Sequence, residues 1–278
     1  MSVSTLYTEV PLPDRFALAA EAGFSAVESW WPEDVDLDTY VDAVRDANLR
    51  LAVLGLYGGA LAEGDWGVLS DLERAHEFRE VAPKGLEVAE TLGCYRLHVL
   101  VGNEQPGQLR PDQLRLAVEN VRWVADLAAA QGATILIQPL NRRDAGPALI
   151  QHVDTAIAFI REVARENVGL QFDAYHVEGA EGYLPARVQR AGGLIRHVQI
   201  ADYPGAQYPG SGRIDFPALF TALTRLGYNG YVGLEYMTVR GTTADLTWLP
   251  ERLRSGSFTA ADIQRILPRT SRDVARTR

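Results

Sequence analysis

Short apolar runs rich in β-branched and aromatic residues alternate along the chain with longer segments whose apolar positions recur at helical spacing. The runs predict strands near Ser4–Tyr7, Ala26–Trp30, Leu51–Leu56, Arg96–Val101, Thr134–Leu140, Gly169–Tyr175, Ile195–Ala201 and Tyr231–Tyr236. Helices are expected between them, near Pro13–Ala22, Leu37–Ala47, Leu72–Leu92, Pro111–Gln131, Val153–Arg165, Tyr183–Ala191, Phe216–Leu226 and Ala244–Leu253. Asp112 opens a stretch with Leu114, Val118, Val121, Val124 and Leu127 on one helical face, and Gly132 ends it. AEAGFSAVE, AETLGCYRLHV, AAQGATILI and TRLGYNGYVGLE repeat one design of helix end, glycine and strand. The glycine supplies the left-handed turn that returns the chain to the sheet.

Eight such units at about 35 residues each predict an α/β fold, a single (β/α)8 TIM barrel over residues 1–253. A doubly wound open sheet would place a glycine-rich phosphate loop after its first strand, and VPLPDRF contains none. Residues 254–278 read as a short C-terminal extension: a helix capped by Thr259 and reaching Leu267, then a loose basic tail.

Composition narrows the function. The 278 residues are 47% hydrophobic and 23% charged, enough apolar content for a large core. Lys and Arg total 27 against 36 Asp and Glu, a net charge of −9 that argues against a general nucleic-acid binder. The single cysteine, Cys94, excludes an intramolecular disulfide or a cysteine-rich zinc site and reads as structural. The N-terminus lacks the pattern of a signal peptide, and no apolar run approaches the ~18 residues of a membrane span. The expectation is a cytoplasmic protein with a small-molecule substrate and neither a nucleic-acid nor a membrane partner; homo-oligomerisation stays open.

Strands of a parallel barrel are buried on both faces and should be nearly all apolar. Polar residues near their C-terminal ends are therefore informative, because active sites of such barrels lie at that rim. Gln138 in ILIQPLN, Asp173 in LQFDAYH, Gln199 in HVQIAD and Glu235 in VGLEY fall on four consecutive predicted strands. Two carboxylates and two amide oxygens converging with no Lys or Arg among them favour a divalent cation, Mg²⁺ or Mn²⁺ rather than zinc. His176, three residues past Asp173, is placed to hydrogen-bond a substrate oxygen. Asn141 and Asp202 lie three residues past Gln138 and Gln199, and Glu28 ends the second strand; these three are expected to support the pocket and its substrate. Arg213, in the glycine-containing run Tyr208–Phe216, is expected to carry a cation toward an anionic substrate. Trp30 and Trp31 are candidate walls, and Asp65 and Trp66 candidate parts of a lid. His98 and His197 sit deeper in their strands and read as core histidines, and His76 and His152 as solvent-facing.

The ordered run IQPLN, QFDAYH, HVQIAD, PGSGRID and GLEY, with AGFSAVE and GDW before it, resembles the hydroxypyruvate isomerase family of the xylose-isomerase-like TIM barrels over roughly residues 5–240. The resemblance implies metal-dependent isomerisation of a small hydroxy-carbonyl acid or sugar. Carried over by position, it makes Gln138, Asp173, Gln199 and Glu235 metal ligands, Gln138 and Glu235 the acid–base positions, and His176 a substrate contact.

One position departs from the family pattern. Its IEPxN motif reads IQPLN here, so one of two catalytic carboxylates is an amide. Gln138 keeps a carbonyl oxygen for a cation but cannot exchange a proton near neutral pH. Three readings stay open: an inactivating substitution, a one-base reaction carried by Glu235, or divergence toward another reaction or a non-catalytic sugar- or metal-binding role. Arg213 is a second departure, since hydroxypyruvate isomerases often carry glutamate there. A ketose 3-epimerase would need proton exchange on both faces of the substrate, which Gln138 disfavours. A DNA-repair endonuclease on this fold would need a histidine-rich multi-metal site, which five scattered histidines do not supply.

Overall fold

A computed structural model describes residues 1–256 and 258–267. Seven strands form where the buried apolar runs were read: β1 (Ala26–Ser29), β2 (Arg50–Gly55), β3 (Arg96–Val99), β4 (Thr134–Ile137), β5 (Val168–Asp173), β6 (Ile195–Ile200) and β7 (Val232–Leu234). They pair in sequence order and every pair is parallel. Helices follow the strands, and several end on a glycine with positive φ, as at Gly93 and Gly227.

The eighth staves of the barrel are the first residues of the chain. Ser2 N–H donates to Leu234 O of β7 at 2.9 Å, Glu28 N–H of β1 donates to Met1 O at 2.9 Å, and Val3 N–H donates to Glu28 O at 2.9 Å. Met1–Val3 thus bridges the two edge strands. The strand expected at Ser4–Tyr7 does not form. The chain turns there, with Leu6 N–H donating to Ser2 O at 3.1 Å and Tyr7 at φ 57°. Ser4 Oγ meanwhile accepts from Trp30 N–H at 2.8 Å. The turn drives Val3 and Leu6 into the core, where neither is exposed.

Two further expectations change. The last helix, read as Ala244–Leu253, is a short turn of helix at Thr242–Asp245 and a 3-10 turn at Glu251–Leu253. Pro250 separates them, because it lacks the N–H a continuous helix would need. Two short helices, Arg142–Ala145 after β4 and Ala174–Ala180 directly after β5, were not predicted. The C-terminal helix spans Ala260–Ile266, with Thr259 and Asp262 capping each other reciprocally, and packs on the helix Phe216–Leu226. The basic tail from residue 268 onward lies outside the described residues. Among the described residues no helix is long and apolar enough to cross a membrane.

Truncating Leu6, which is fully buried beneath the closing segment, should cost about 2–5 kcal/mol as Leu6→Ala, read from the urea midpoint. A change below ~1 kcal/mol would mean that the turn is not part of the core.

Candidate active site

Strand alternation places residues two apart on one face, so the interior of this barrel can be followed upward along each strand. Its middle and upper levels are polar rather than filled with branched apolar side chains. On β1, Glu28 points into the barrel because β7 has Gly233 opposite: a Cβ there would lie 2.3 Å from Glu28 Oε1. Glu28 Oε2 meets His197 Nε2 of β6 at 2.6 Å, and its Oε1 accepts from Gln199 Nε2 at 3.1 Å. Gln171 of β5 then joins the two amides, its Nε2 donating to Gln199 Oε1 at 2.6 Å and Gln138 Oε1 at 3.1 Å. Gln138 Nε2 in turn donates to Asp173 Oδ2 at 3.1 Å. Gln138, Asp173 and Gln199 are thereby brought together in one buried network.

Glu235 completes the arc immediately after β7. Its Oε1 accepts from Trp30 Nε1 at 2.7 Å, so the half-exposed indole at the end of β1 holds the carboxyl group. Burial first, then repulsion from Glu28 and Asp173, pushes Glu235 well above the usual carboxylate range. Burial likewise raises Asp173, although His176 and the main-chain N–H groups of His176 and Tyr175 oppose it. Glu28 is also buried, but His197, the N-terminal amine and the Gln199 amide outweigh that burial and hold it below the usual range.

Asp173 has a second task. Its Oδ1 accepts from Tyr175 N–H at 2.8 Å and His176 N–H at 3.2 Å, capping the helix Ala174–Ala180 and fixing where His176 begins. His176 Nδ1 accepts from Asn141 N–H at 3.1 Å, so the neutral ring carries its proton on Nε2 and is a donor through that atom.

Three residues expected to support the pocket and its substrate have specific partners within the protein. Asn141 is buried and serves His176 and Asp144: its Nδ2 lies 2.9 Å from His176 Nδ1, and its Oδ1 accepts from Asp144 N–H at 3.1 Å. Glu28 has both oxygens engaged by His197 and Gln199, beneath the rim. Asp202 accepts from four main-chain N–H groups, those of Tyr203, Gly210, Gly212 and Ile214, at 2.8–3.0 Å. It organises the loop that carries Arg213. Gly212 is required there, since a Cβ would sit 2.4 Å from Tyr203 O. Arg213 stays half-exposed over the Tyr203 ring at 4.7 Å, its Nε donating to Glu178 Oε1 at 3.2 Å.

Among the flanking residues, the Trp31 ring lies beside Gly85. Asp65 is gripped by Arg74 through two 2.9 Å hydrogen bonds and fixes the loop after β2, while Trp66 packs against Leu140, Ala145 and Ala148 in the loop after β4. His197 is a core histidine with a partner. His98 lies at the same depth, and burial pushes it down to about 4. Gln171 is the site residue that sequence reasoning passed over, although its position two before Asp173 already put it on the same face of the strand.

The donor set fits a hard divalent cation. Each amide or carboxylate oxygen that accepts a hydrogen bond here retains a second lone pair. Burial first, and repulsion from Glu28 after it, raises the proton affinity of Asp173 and Glu235, and a cation between them would offset both. Among the described residues no three His, Cys, Asp or Glu side chains cluster closely enough to hold a metal, so a cation at this rim requires the amide oxygens of Gln138 and Gln199 alongside the two carboxylates.

The sequence pattern of the xylose isomerase-like TIM barrel matches residues 16–254. The chain is 35% identical over 255 residues to the 2-oxo-tetronate isomerase of Cupriavidus necator, covering 89% of this chain and 95% of that one. It is 31% identical over 249 residues to the hydroxypyruvate isomerase of Escherichia coli, covering 89% and 96%. A crystal structure from Brucella melitensis titled AP endonuclease, family 2, superposes with a TM-score of 0.84 at 36% identity, covering 89% of this chain and 95% of that one.

Glu235 yields a stability prediction with a definite sign. An acid whose folded pKa is raised contributes stability below its unfolded pKa and loses it as pH climbs toward the folded value. In chelator-treated protein, Glu235→Gln should therefore match wild type near about pH 4 and gain about 1.4 kcal/mol on it for each further pH unit, up to the raised value. Urea unfolding across a pH series checks this; a flat difference would show that Glu235 is not perturbed.

Proposed function

The chain belongs to the xylose isomerase-like TIM barrel family, and from that premise we propose that it interconverts a short hydroxy-keto acid and its aldehyde isomer with cation assistance, Glu235 carrying the proton. The protein is an isomerase acting on a sugar-like substrate, as its relatives named for isomerases indicate. The finer reading rests on one observation. Of the four oxygen donors at the rim only Asp173 and Glu235 can exchange a proton, and Asp173 already accepts from two main-chain N–H groups and from Gln138. Glu235 is held through one oxygen by Trp30, in an environment that raises its proton affinity toward the working range of a general base.

In this reading Glu235 takes the proton from the hydroxyl-bearing carbon beside the carbonyl and returns it to the former carbonyl carbon on the same face. The hydroxyl proton passes to the other oxygen, so the substrate gains and loses nothing. His176, donating through Nε2–H, steadies the substrate oxygen on which charge develops. Arg213, anchored by Glu178, offers its guanidinium to the substrate carboxylate at the mouth. Gln138 contributes a carbonyl oxygen and no proton. A divalent cation held by Gln138, Asp173, Gln199 and Glu235, Mg²⁺ or Mn²⁺ by the hardness of these donors, would polarise the carbonyl and keep both carboxylates ionised. A 3-epimerase needs a second exchanging group across the substrate, and the residue at that position is an amide. The short acids named in the relatives' activities also suit a pocket with one anchoring arginine.

The test is C–H exchange in D₂O, followed by NMR with hydroxypyruvate and 2-oxo-tetronate in the presence of Mn²⁺ or Mg²⁺. Wild type should exchange, chelation should abolish the exchange, and Glu235→Gln should lower it about 10²–10⁴-fold. Exchange surviving in Glu235→Gln would remove the one-base reading. Exchange seen only in Gln138→Glu would show that the natural site is inactivated, and none in either form with metal bound would favour a binding role.

A further inference from the structure

The opposite end of the barrel carries a second polar site, independent of the chemistry proposed above. A cavity of about 830 Å³ opens beneath the N-terminal ends of the strands, within the size range of small-molecule sites. Its walls include Arg50, Arg96, Arg254, Thr224 and Tyr231. Arg96, the first residue of β3, reaches across the lower mouth to donate from Nε to Arg196 O on β6 at 3.1 Å, and its guanidinium lies over the Tyr231 ring at 5.7 Å. Arg50, the first residue of β2, approaches the same tyrosine from another side, Nη1 donating to the phenol oxygen at 3.3 Å.

The charge balance at this end is unusual for this chain. Acidic residues outnumber basic ones by 36 to 27, yet among the described residues no carboxylate pairs with Arg50, Arg96 or Arg254. Arg254 donates to the main-chain oxygens of Leu249, Ala22 and Leu246, so it contributes charge from a fixed position. Among the described residues the side chains of Arg96 and Arg50 each make a single hydrogen bond, which leaves the forks of both guanidinium groups with donors to offer. Clustered arginine forks with free donors beside hydroxyl groups are the chemistry that recognises phosphate oxygens.

We propose that this cavity is a ligand site for the phosphate group of a small phosphorylated molecule, held between Arg50 and Arg96 with Tyr231 as the platform between them. The site lies at the far end of the barrel from Glu235, so its occupant is not the isomerised substrate in the same binding event. Binding there would tie the starts of β2, β3 and β7 together across the lower mouth and stabilise the barrel.

Titration calorimetry of the full-length protein with inorganic phosphate, against a sodium chloride control at matched ionic strength, tests the site. Saturable binding is expected for wild type, weakened at least about tenfold by Arg50→Gln and by Arg96→Gln and unchanged by Arg161→Gln on an exposed helix surface. Thermal unfolding should show the same order, with phosphate raising the wild-type midpoint and not that of the Arg50 variant. Because Arg50 is exposed, its variant keeps the experiment decisive even if the Arg96 variant fails to fold. Absence of saturable binding, equal binding by the Arg50 variant, or an identical effect of sodium chloride would overturn the proposal.

Discussion

Glu28, Asp173 and Glu235 share the upper interior of one barrel with no lysine or arginine paired to any of them among the described residues, and the pocket is arranged around that excess of negative charge. Leaving a buried carboxylate without donors is expensive. Each is therefore met by a specific group: His197 and Gln199 for Glu28, Gln138 and two main-chain N–H groups for Asp173, Trp30 for Glu235. The compensation is graded. At Glu28 the His197 imidazole, the N-terminal amine and the Gln199 amide outweigh burial and hold it below the ordinary carboxylate range, whereas at Asp173 burial prevails over His176 and the main-chain donors, and at Glu235 burial and the neighbouring carboxylates prevail over Trp30, driving both above it.

Gln171 is the hinge of this arrangement. One NH₂ group fixes the carbonyl oxygens of both Gln138 and Gln199, so the two amides cannot rotate independently. Gln138 completes a chain of hydrogen bonds that runs from Glu28 through Gln199 and Gln171 to Asp173. Small residues make room for this polar filling, most directly at Gly233, where any side chain would collide with the Glu28 carboxylate. The interior departs from the branched apolar layers usual in such barrels, and the departure coincides with the level at which chemistry is expected.

Loops above the rim act through the same economy of donors. Asp202 gathers four N–H groups and thereby sets the path of the segment bearing Arg213, while Asn141 orients His176 through its main chain and side chain together. Several polar residues near the pocket thus act on neighbouring protein groups, fixing the positions of His176 and of the loop that bears Arg213.

Much of this was legible along the chain. Alternation of apolar runs with helical periodicity located seven of the eight strand positions, and polar residues breaking an otherwise apolar strand marked Gln138, Asp173, Gln199 and Glu235, because both signals are local and fixed by backbone period. The closing stave was misplaced by a few residues: whether Met1–Val3 or Ser4–Tyr7 pairs with β1 and β7 depends on which main-chain groups those edges leave open, and no local propensity encodes that. The same limit explains Asp202, Asn141 and Glu28, whose residue types announce hydrogen bonding but not the partner. Residue type and spacing determined which side chains line the barrel and at what height; only closure of the sheet, by bringing strands from distant parts of the chain within hydrogen-bonding reach, decided which of them pair with one another.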